Sequence, residues 1–272
     1  MVPDSSVYAQ VLADARVVAV ASAKGGVGKS TISAQLALGL ARCGYRTGLL
    51  DGDIYGPSLP LLMDVRQSPG AAADGRILPV WKDGVQLMSI GFVAGTGQPV
   101  SWRGPMLART MKHFLGRVAW SPMDFLIIDL PPGTGDVTLT LCQVIGLTGA
   151  VIVTTPQDVA LQDVERGIAM FRAVGVEVLG MVENMSYFIC PNCGERHEVF
   201  AHGGGRDTAG RLGLELLAEI PLNTAIGQIG AAVQPDVVAT EPRHPLFTHL
   251  AETLAARLTV CHPQPQDAPA RG

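Results

Sequence analysis

The sequence predicts an α/β protein with a doubly wound, mostly parallel sheet flanked by helices. Three observations carry that prediction. Short aliphatic runs alternate with helix-length amphipathic segments, the pattern of strands joined by crossover helices. Most of those runs are apolar at every position, as strands buried on both faces must be. A glycine-rich segment joins the first run to the first helix, at the sheet edge where open α/β folds bind ligands.

Residues 17–22 (Val-Val-Ala-Val-Ala-Ser) form the first expected strand and residues 29–43 the first helix. A strand at 47–51 ends in Asp51. Residues 54–77, rich in Gly, Pro and Ala, read as a long loop, a length uncommon in compact domains unless the loop has a task. Next come a strand at 85–90, a helix at 105–119 and the strand 125–129, Phe-Leu-Ile-Ile-Asp. The periodicity then switches between helices at 137–145, 159–174 and 206–212 and strands at 150–154, 177–183 and 216–220. A second long irregular stretch, 187–205, carries a cysteine pair. The last helix is expected at 245–258. Residues 1–16 read as an N-terminal extension, 17–260 as one domain, and 261–272, with three prolines and no apolar periodicity, as a disordered tail.

Composition narrows the function classes. The chain has 272 residues, 47% of them hydrophobic, and 24 acids against 20 bases give a net charge of −4. That excludes disorder over most of the length and argues against a nucleic-acid-binding surface spread over the molecule. No apolar run approaches the roughly 20 residues needed to cross a bilayer, and the start lacks a basic segment followed by an apolar signal core. A cytoplasmic protein with no membrane or nucleic-acid partner is expected. Five cysteines, an odd number with only one close pair, do not make a disulfide framework. Cys43, Cys142 and Cys261 read as inert.

Ala23-Lys24-Gly25-Gly26-Val27-Gly28-Lys29-Ser30-Thr31 follows a strand and opens a helix. Glycines let backbone N–H groups turn inward around phosphate oxygens, the helix N-terminus adds favourable dipole, and Lys29 reaches the terminal phosphates. Ser30 is the natural Mg²⁺ ligand. Asp129, at the end of an apolar strand, is the second Mg²⁺ candidate. A P-loop NTPase follows. The loop lacks the usual first glycine and gains Lys24, and it closely resembles the deviant Walker A loop of the SIMIBI-class ATPases. The resemblance implies that Lys24 crosses a dimer interface to the nucleotide of the partner subunit. It also makes the loop after Asp51 a switch, with Asp53 orienting the attacking water and Asp51 supporting the metal shell. Leu130-Pro131-Pro132-Gly133-Thr134-Gly135-Asp136 then resembles a second switch, with the Gly133 amide sensing the γ-phosphate. Related ATPases place an asparagine and a proline-containing segment around adenine, which fits Asn184 and Pro221.

Cys190 and Cys193, separated by two residues, can grip one metal, because the turn between them points both sulfurs the same way. Four readings stay open on the residues alone: a redox dithiol, half of a zinc ribbon, a zinc site completed by His197 and His202, or ordinary loop cysteines. A two-fold dimer offers another completion, four thiolates, which suit a 4Fe-4S cluster.

The Lys24–Thr31 string, Asp51-Gly52-Asp53-Ile54-Tyr55-Gly56-Pro57-Ser58, Trp102-Arg103-Gly104-Pro105-Met106, the Asp129–Asp136 string, Glu183-Asn184-Met185-Ser186 and the cysteine pair together resemble the Mrp family, the ApbC-like iron–sulfur cluster carriers. The resemblance implies a homodimeric ATPase using ATP and Mg²⁺. It also implies a labile 4Fe-4S cluster bridging two subunits, taken from an iron–sulfur donor and passed to apoprotein recipients. Two alternatives differ in class: a ParA-like positioning or partitioning ATPase that dimerises on DNA or membrane, and a zinc-bridged nucleotide-binding scaffold.

Overall fold

A computed structural model describes residues 14–92, 111, 115–157, 161–190, 192–198, 204–222 and 245–261. In chain order β1 (Arg16–Ala21), α1 (Lys29–Arg42) and β2 (Thr47–Asp51) come first, and α2 (Leu59–Leu62) is a single turn in the loop beyond. The hairpin β3 (Val80–Lys82) and β4 (Val85–Ser89) precedes β5 (Phe125–Asp129), α3 (Asp136–Val144), β6 (Gly149–Thr154), α4 (Leu161–Ala173) and β7 (Val178–Glu183). A two-stranded ribbon, β8 (Phe188–Ile189) and β9 (Arg196–His197), leads to α5 (Gly204–Leu212), β10 (Leu216–Glu219) and α6 (Pro245–Cys261).

The main sheet has eight strands in the order β10-β7-β6-β1-β5-β2-β4-β3. All neighbours are parallel except β3, which pairs antiparallel with β4 at the edge. After β1 the chain winds toward β2 and β4; after β5 it winds the other way, toward β6, β7 and β10. The reversal at β1 and β5 leaves a crevice beyond their carboxyl ends. Register aligns the site there: Val20 of β1 and Asp51 of β2 both stand beside Asp129 of β5.

Every residue of β1, β2, β4, β5, β6 and β7 is buried, and the two-residue period divides each strand between two cores. Val18, Val20, Ile127 and Val153 face a core closed by Ile32, Leu36 and Leu40 of α1 and Phe247, Leu250 and Leu254 of α6. Ala19, Leu126, Ile128 and Ile152 face the other, closed by Leu141 of α3, Val164, Ile168 and Phe171 of α4, and Ala209 of α5. Helices on both faces are what wholly apolar strands require.

Several expectations need correction. Strand β3 was not expected; Asp83 and Gly84, both at positive φ, make the tight turn that returns it to β4. The stretch 54–77 is not all loop, because it holds α2 and an antiparallel bridge between Ala71 and Ile77. Within the stretch 187–205, β8 and β9 form a ribbon with Cys190 and Cys193 between them, residues 191 and 199–203 lie outside the described residues, and α5 starts at Gly204, two residues early. Strand β4 stops at Ser89 because Ile90–Phe92 turns as 3-10 helix. Helix α6 continues to Cys261, the expected first tail residue. Of the helix expected at 105–119, Met111 and residues 115–117 are helical, with Met111 and Leu115 fully buried, and the rest lies outside the described residues, as do Trp102-Arg103-Gly104-Pro105-Met106 and residues 1–13 and 262–272. No helix among the described residues is long and apolar enough to cross a membrane.

Candidate functional site

The loop between β1 and α1 turns at Gly26 and Gly28, both at φ 83°, a conformation that costs a side-chain-bearing residue steric strain. Gly28 caps α1, and its carbonyl accepts the Ile32 N–H at 3.0 Å, so helix hydrogen bonding begins directly behind the loop. Lys24, Gly25 and Gly26 are exposed, while Val27 and Lys29 are buried.

Asp129 sits at the centre. Its carboxylate is fully buried and accepts three side-chain donors: Lys29 Nζ at 2.7 Å and Ser33 Oγ at 2.8 Å on Oδ1, and Ser30 Oγ at 2.6 Å on Oδ2. Burying a carboxylate costs several kcal/mol unless a countercharge and hydrogen bonds replace its water, and these three donors do so. A serine hydroxyl beside a carboxylate is also the hard-oxygen donor set that Mg²⁺ prefers, so Ser30 and Asp129 fit that ion. Ser33 was missed in the sequence. It lies one helical turn beyond Lys29, and its only signal is a hydroxyl on the apolar face of α1.

Asp51 is fully buried, and both of its carboxylate oxygens are committed, to the loop that follows it and to the end of β4. Oδ1 accepts the Asp53 N–H at 3.3 Å; Oδ2 accepts the Leu59 N–H and the Ser89 hydroxyl, each at 3.0 Å. Burial, and then the neighbouring Asp129 charge, push its carboxyl up to about 7. Asp53 accepts the N–H groups of Tyr55 and Gly56 on Oδ1, which folds the first turn of the loop after β2 around it. Burial raises its pKa, opposed by the Lys29 charge and reinforced by Asp129. In the segment after β5 the Gly133 N–H donates to the Ser22 carbonyl at 2.8 Å, tying this segment to the end of β1. Lys24 Nζ lies 3.2 Å from Asp163 on α4 of the same chain.

Asn184 follows β7 immediately. Its Nδ2 donates to the Val27 carbonyl at 2.9 Å, and its own N–H donates to Thr154 at the end of β6. Pro221 is buried one strand away, after Ile220, whose N–H donates to the Glu183 carbonyl. The chain then runs into β8, where Phe188 pairs with His197 and Ile189 with Arg196. Cys190 and Cys193 occupy the turn, closed by Cys190 N–H to Glu195 and Gly194 N–H to Cys190, both at 2.9 Å. Backbone N–H groups of Cys193 and Asn192, and then the Cys193 thiol, hold the Cys190 thiol below its ordinary pKa, which favours the metal-binding thiolate. The Arg196 guanidinium stacks 3.7 Å from the Tyr187 ring centre and bonds Glu198. Among the described residues no three His, Cys, Asp or Glu side chains converge on a metal position within one chain; His202 lies outside them. Cys142 is buried in α3 with its thiol pushed up to about 12, and burial raises Cys43 too, as inert thiols should be.

A glycine-rich loop between β1 and α1, with Lys29 and Ser30 turned onto a buried aspartate at the end of β5 of a mostly parallel sheet, is the architecture of a P-loop NTPase. Residues 14–258 match the family described as ParA, NUBPL iron-transfer P-loop NTPase, and the chain belongs to that family. The iron-sulfur cluster transfer protein NUBPL of Dictyostelium discoideum is 45% identical over 84% of this chain and 71% of its own length. The iron-sulfur cluster carrier protein of Aquifex aeolicus is 46% identical over 82% of this chain, which spans 62% of that relative. Among solved structures, a nucleotide-binding protein from Archaeoglobus fulgidus in complex with ADP superposes with a TM-score of 0.76 at 37% identity, covering 90% of this chain and 95% of that one. The cell division ATPase MinD of Pyrococcus furiosus shares the fold, with a TM-score of 0.64 at 22% identity over 89% of this chain and 99% of its own.

Proposed function

We propose that this protein is a homodimeric ATPase that carries a labile 4Fe-4S cluster between its two subunits and passes it from an iron–sulfur donor to apoproteins in the cytoplasm. The observation that carries the reading is the placement of the cysteine turn. It begins a few residues after Asn184, which is hydrogen-bonded to the phosphate loop, so one stretch of chain serves both nucleotide and metal. The names of the Dictyostelium and Aquifex relatives point the same way.

In this reading the backbone N–H groups of residues 25–31 and Lys29 take the phosphates, and Lys29 leaves Asp129 to do so. Ser30 and Asp129 would hold Mg²⁺, with Asp51 fixing the loop beside them. Bound Mg²⁺ neutralises charge developing on the phosphate oxygens. Asp53 orients the attacking water, the Gly133 amide moves from Ser22 to the γ-phosphate, and Asn184 and Pro221 border the adenine. Lys24 exchanges Asp163 for the nucleotide of the partner subunit, which makes ATP binding and closure one event. Hydrolysis, expected to be slow, reopens the dimer and changes the geometry at the four thiolates.

Anaerobic reconstitution with iron and sulfide tests the proposal. The parent chain should take up about two irons per subunit, as one four-iron cluster per dimer requires, and Cys190→Ala and Cys193→Ala should take up none. Equal iron in parent and variants, or stoichiometric zinc without measurable ATP hydrolysis, overturns it.

A further inference from the structure

A loop whose N–H groups converge on a phosphate must turn its carbonyls the other way, into the protein, where each needs a donor. The Val27 carbonyl is such a group, on a residue only 2% exposed, and its donor is the side chain of Asn184 at 2.9 Å. The acceptor is a backbone carbonyl, so the nitrogen side of the amide has to face it. The contact also accounts for Gly28, where a Cβ would stand 2.2 Å from Asn184 Nδ2.

Asn184 is itself rigidly held. Its N–H is bonded to Thr154, the preceding Glu183 carbonyl accepts from Ile220, and the Ser186 N–H donates to the Ile220 carbonyl. The Ser186 hydroxyl donates to Glu183, and the Leu222 N–H donates to Tyr187 one residue before β8. From Asn184 to the cysteine ribbon the backbone is therefore pinned to β6 and to the segment after β10.

We infer that Asn184 is a positioning residue for the phosphate loop, holding it in its anion-binding shape from behind and giving the loop and the cysteine ribbon a common anchor. The inference rests on the phosphate-binding role proposed above and assigns Asn184 a task that does not involve the base. Removing the amide leaves the Val27 carbonyl buried without a donor, so the ligand-free loop relaxes to hydrate it and binding has to restore the anion-binding shape, a cost that falls on the phosphate part of any ligand.

Tripolyphosphate, which has phosphates and no base, separates the roles. Binding of ATP and of tripolyphosphate, each with Mg²⁺, is measured by calorimetry for the parent, Asn184→Ala and the isosteric Asn184→Asp, whose carboxylate cannot donate to a carbonyl. Thermal unfolding confirms that each variant is folded. Tripolyphosphate should weaken in Asn184→Ala by about tenfold for one lost buried hydrogen bond, ATP by at least that factor, and both at least as much in Asn184→Asp. Loss of ATP affinity with tripolyphosphate unchanged would make Asn184 a base reader and overturn the inference, as would tripolyphosphate binding at parental strength in Asn184→Asp. Amide exchange supplies a readout that a purely structural role would not move. Tripolyphosphate should slow exchange at the Cys190 and Gly194 amides in the parent and not in Asn184→Ala, and an identical response in both removes the shared anchor. A parent chain that binds neither ligand sinks the phosphate-site reading, and this inference with it.

Discussion

Asp129 shows how one residue sets the terms for its neighbours. Its carboxylate is fully buried with Lys29 at 2.7 Å, so the lysine proposed to take the phosphates also stabilises the fold. Truncating one partner of a buried ion pair leaves an uncompensated charge and typically costs about 3–5 kcal/mol. Lys29→Ala should therefore unfold at markedly lower urea concentration than the parent with no nucleotide present; unchanged stability would mean that the serines alone sustain Asp129. Asp51 gives a pH signature. Its carboxyl is pushed up to about 7, chiefly by burial, whereas an unfolded aspartate titrates at about 3.9. Between those values the native chain keeps a proton that the unfolded chain releases, so this contribution is complete below the lower pKa and is lost as pH rises through the upper one. Asp53 is shifted in the same direction. The nucleotide-free protein should lose stability from pH 5 to pH 8 in urea titrations, and Asp51→Asn should flatten that fall; an equally steep fall would place its origin elsewhere. Lys29, Ser30 and Asp129 were legible because they are fixed in sequence relative to a strand or helix end. Ser33 and Ser89 were not, because no motif marks them and only the folded register brings them to Asp129 and Asp51.

At the scale of elements, the interior strands were readable because burial on both faces leaves unbroken apolar runs. Edge and ribbon strands lack that mark. β3 is only three residues long with Trp81 more than half exposed, and β8 and β9 have two residues each, so their single legible cue was turn chemistry at Asp83-Gly84 and around Cys190. Helix packing was not legible either. Gly39 looks like a weak point in α1, since alanine favours a helix interior by about 1 kcal/mol. In the fold, however, a Cβ at Gly39 would lie 2.8 Å from the Phe247 carbonyl oxygen and 3.0 Å from the Ala251 Cβ of α6. A carbonyl fixed in a helix backbone cannot swing aside, and overpacking costs about 1–3 kcal/mol, so the steric loss exceeds the propensity gain. Gly39→Ala should destabilise the protein. Gly210 in α5 is the control, because a Cβ there meets nothing within 4 Å, and Gly210→Ala should stabilise by up to about 1 kcal/mol. Urea midpoints moving in the same direction for both variants would refute close packing of α1 on α6 as the reason for Gly39.

The molecule as a whole raises the question of what completes the cysteine site, since two thiolates fill half of a four-coordinate metal or cluster site. Within one chain the described residues supply no third ligand, and His197 is turned into the β8–β9 pairing with its ring facing Phe188. A bridging site and a one-chain site differ in how they respond to dilution with a defective partner. If each chain holds its own metal, mixing parent with an equal amount of the Cys190→Ala, Cys193→Ala double variant halves the iron bound. If one cluster needs both chains, only dimers of two parent chains load, and random pairing makes these about one quarter of all dimers. The two chains are mixed with ATP before anaerobic reconstitution, and iron is counted per total chain. About one quarter of the all-parent value is expected. One half would place a complete metal site in each subunit. Adding Lys24→Ala to both chains tests the nucleotide side of the same symmetry. That lysine is half exposed beside Asp163, and an exposed pair contributes only about 0–1 kcal/mol, so its loss should leave the monomer folded. If closure around ATP is what brings the four thiolates together, the doubly substituted mixture should load less iron than the mixture that keeps Lys24. Equal loading would show that the cysteine ribbons meet without help from the nucleotide.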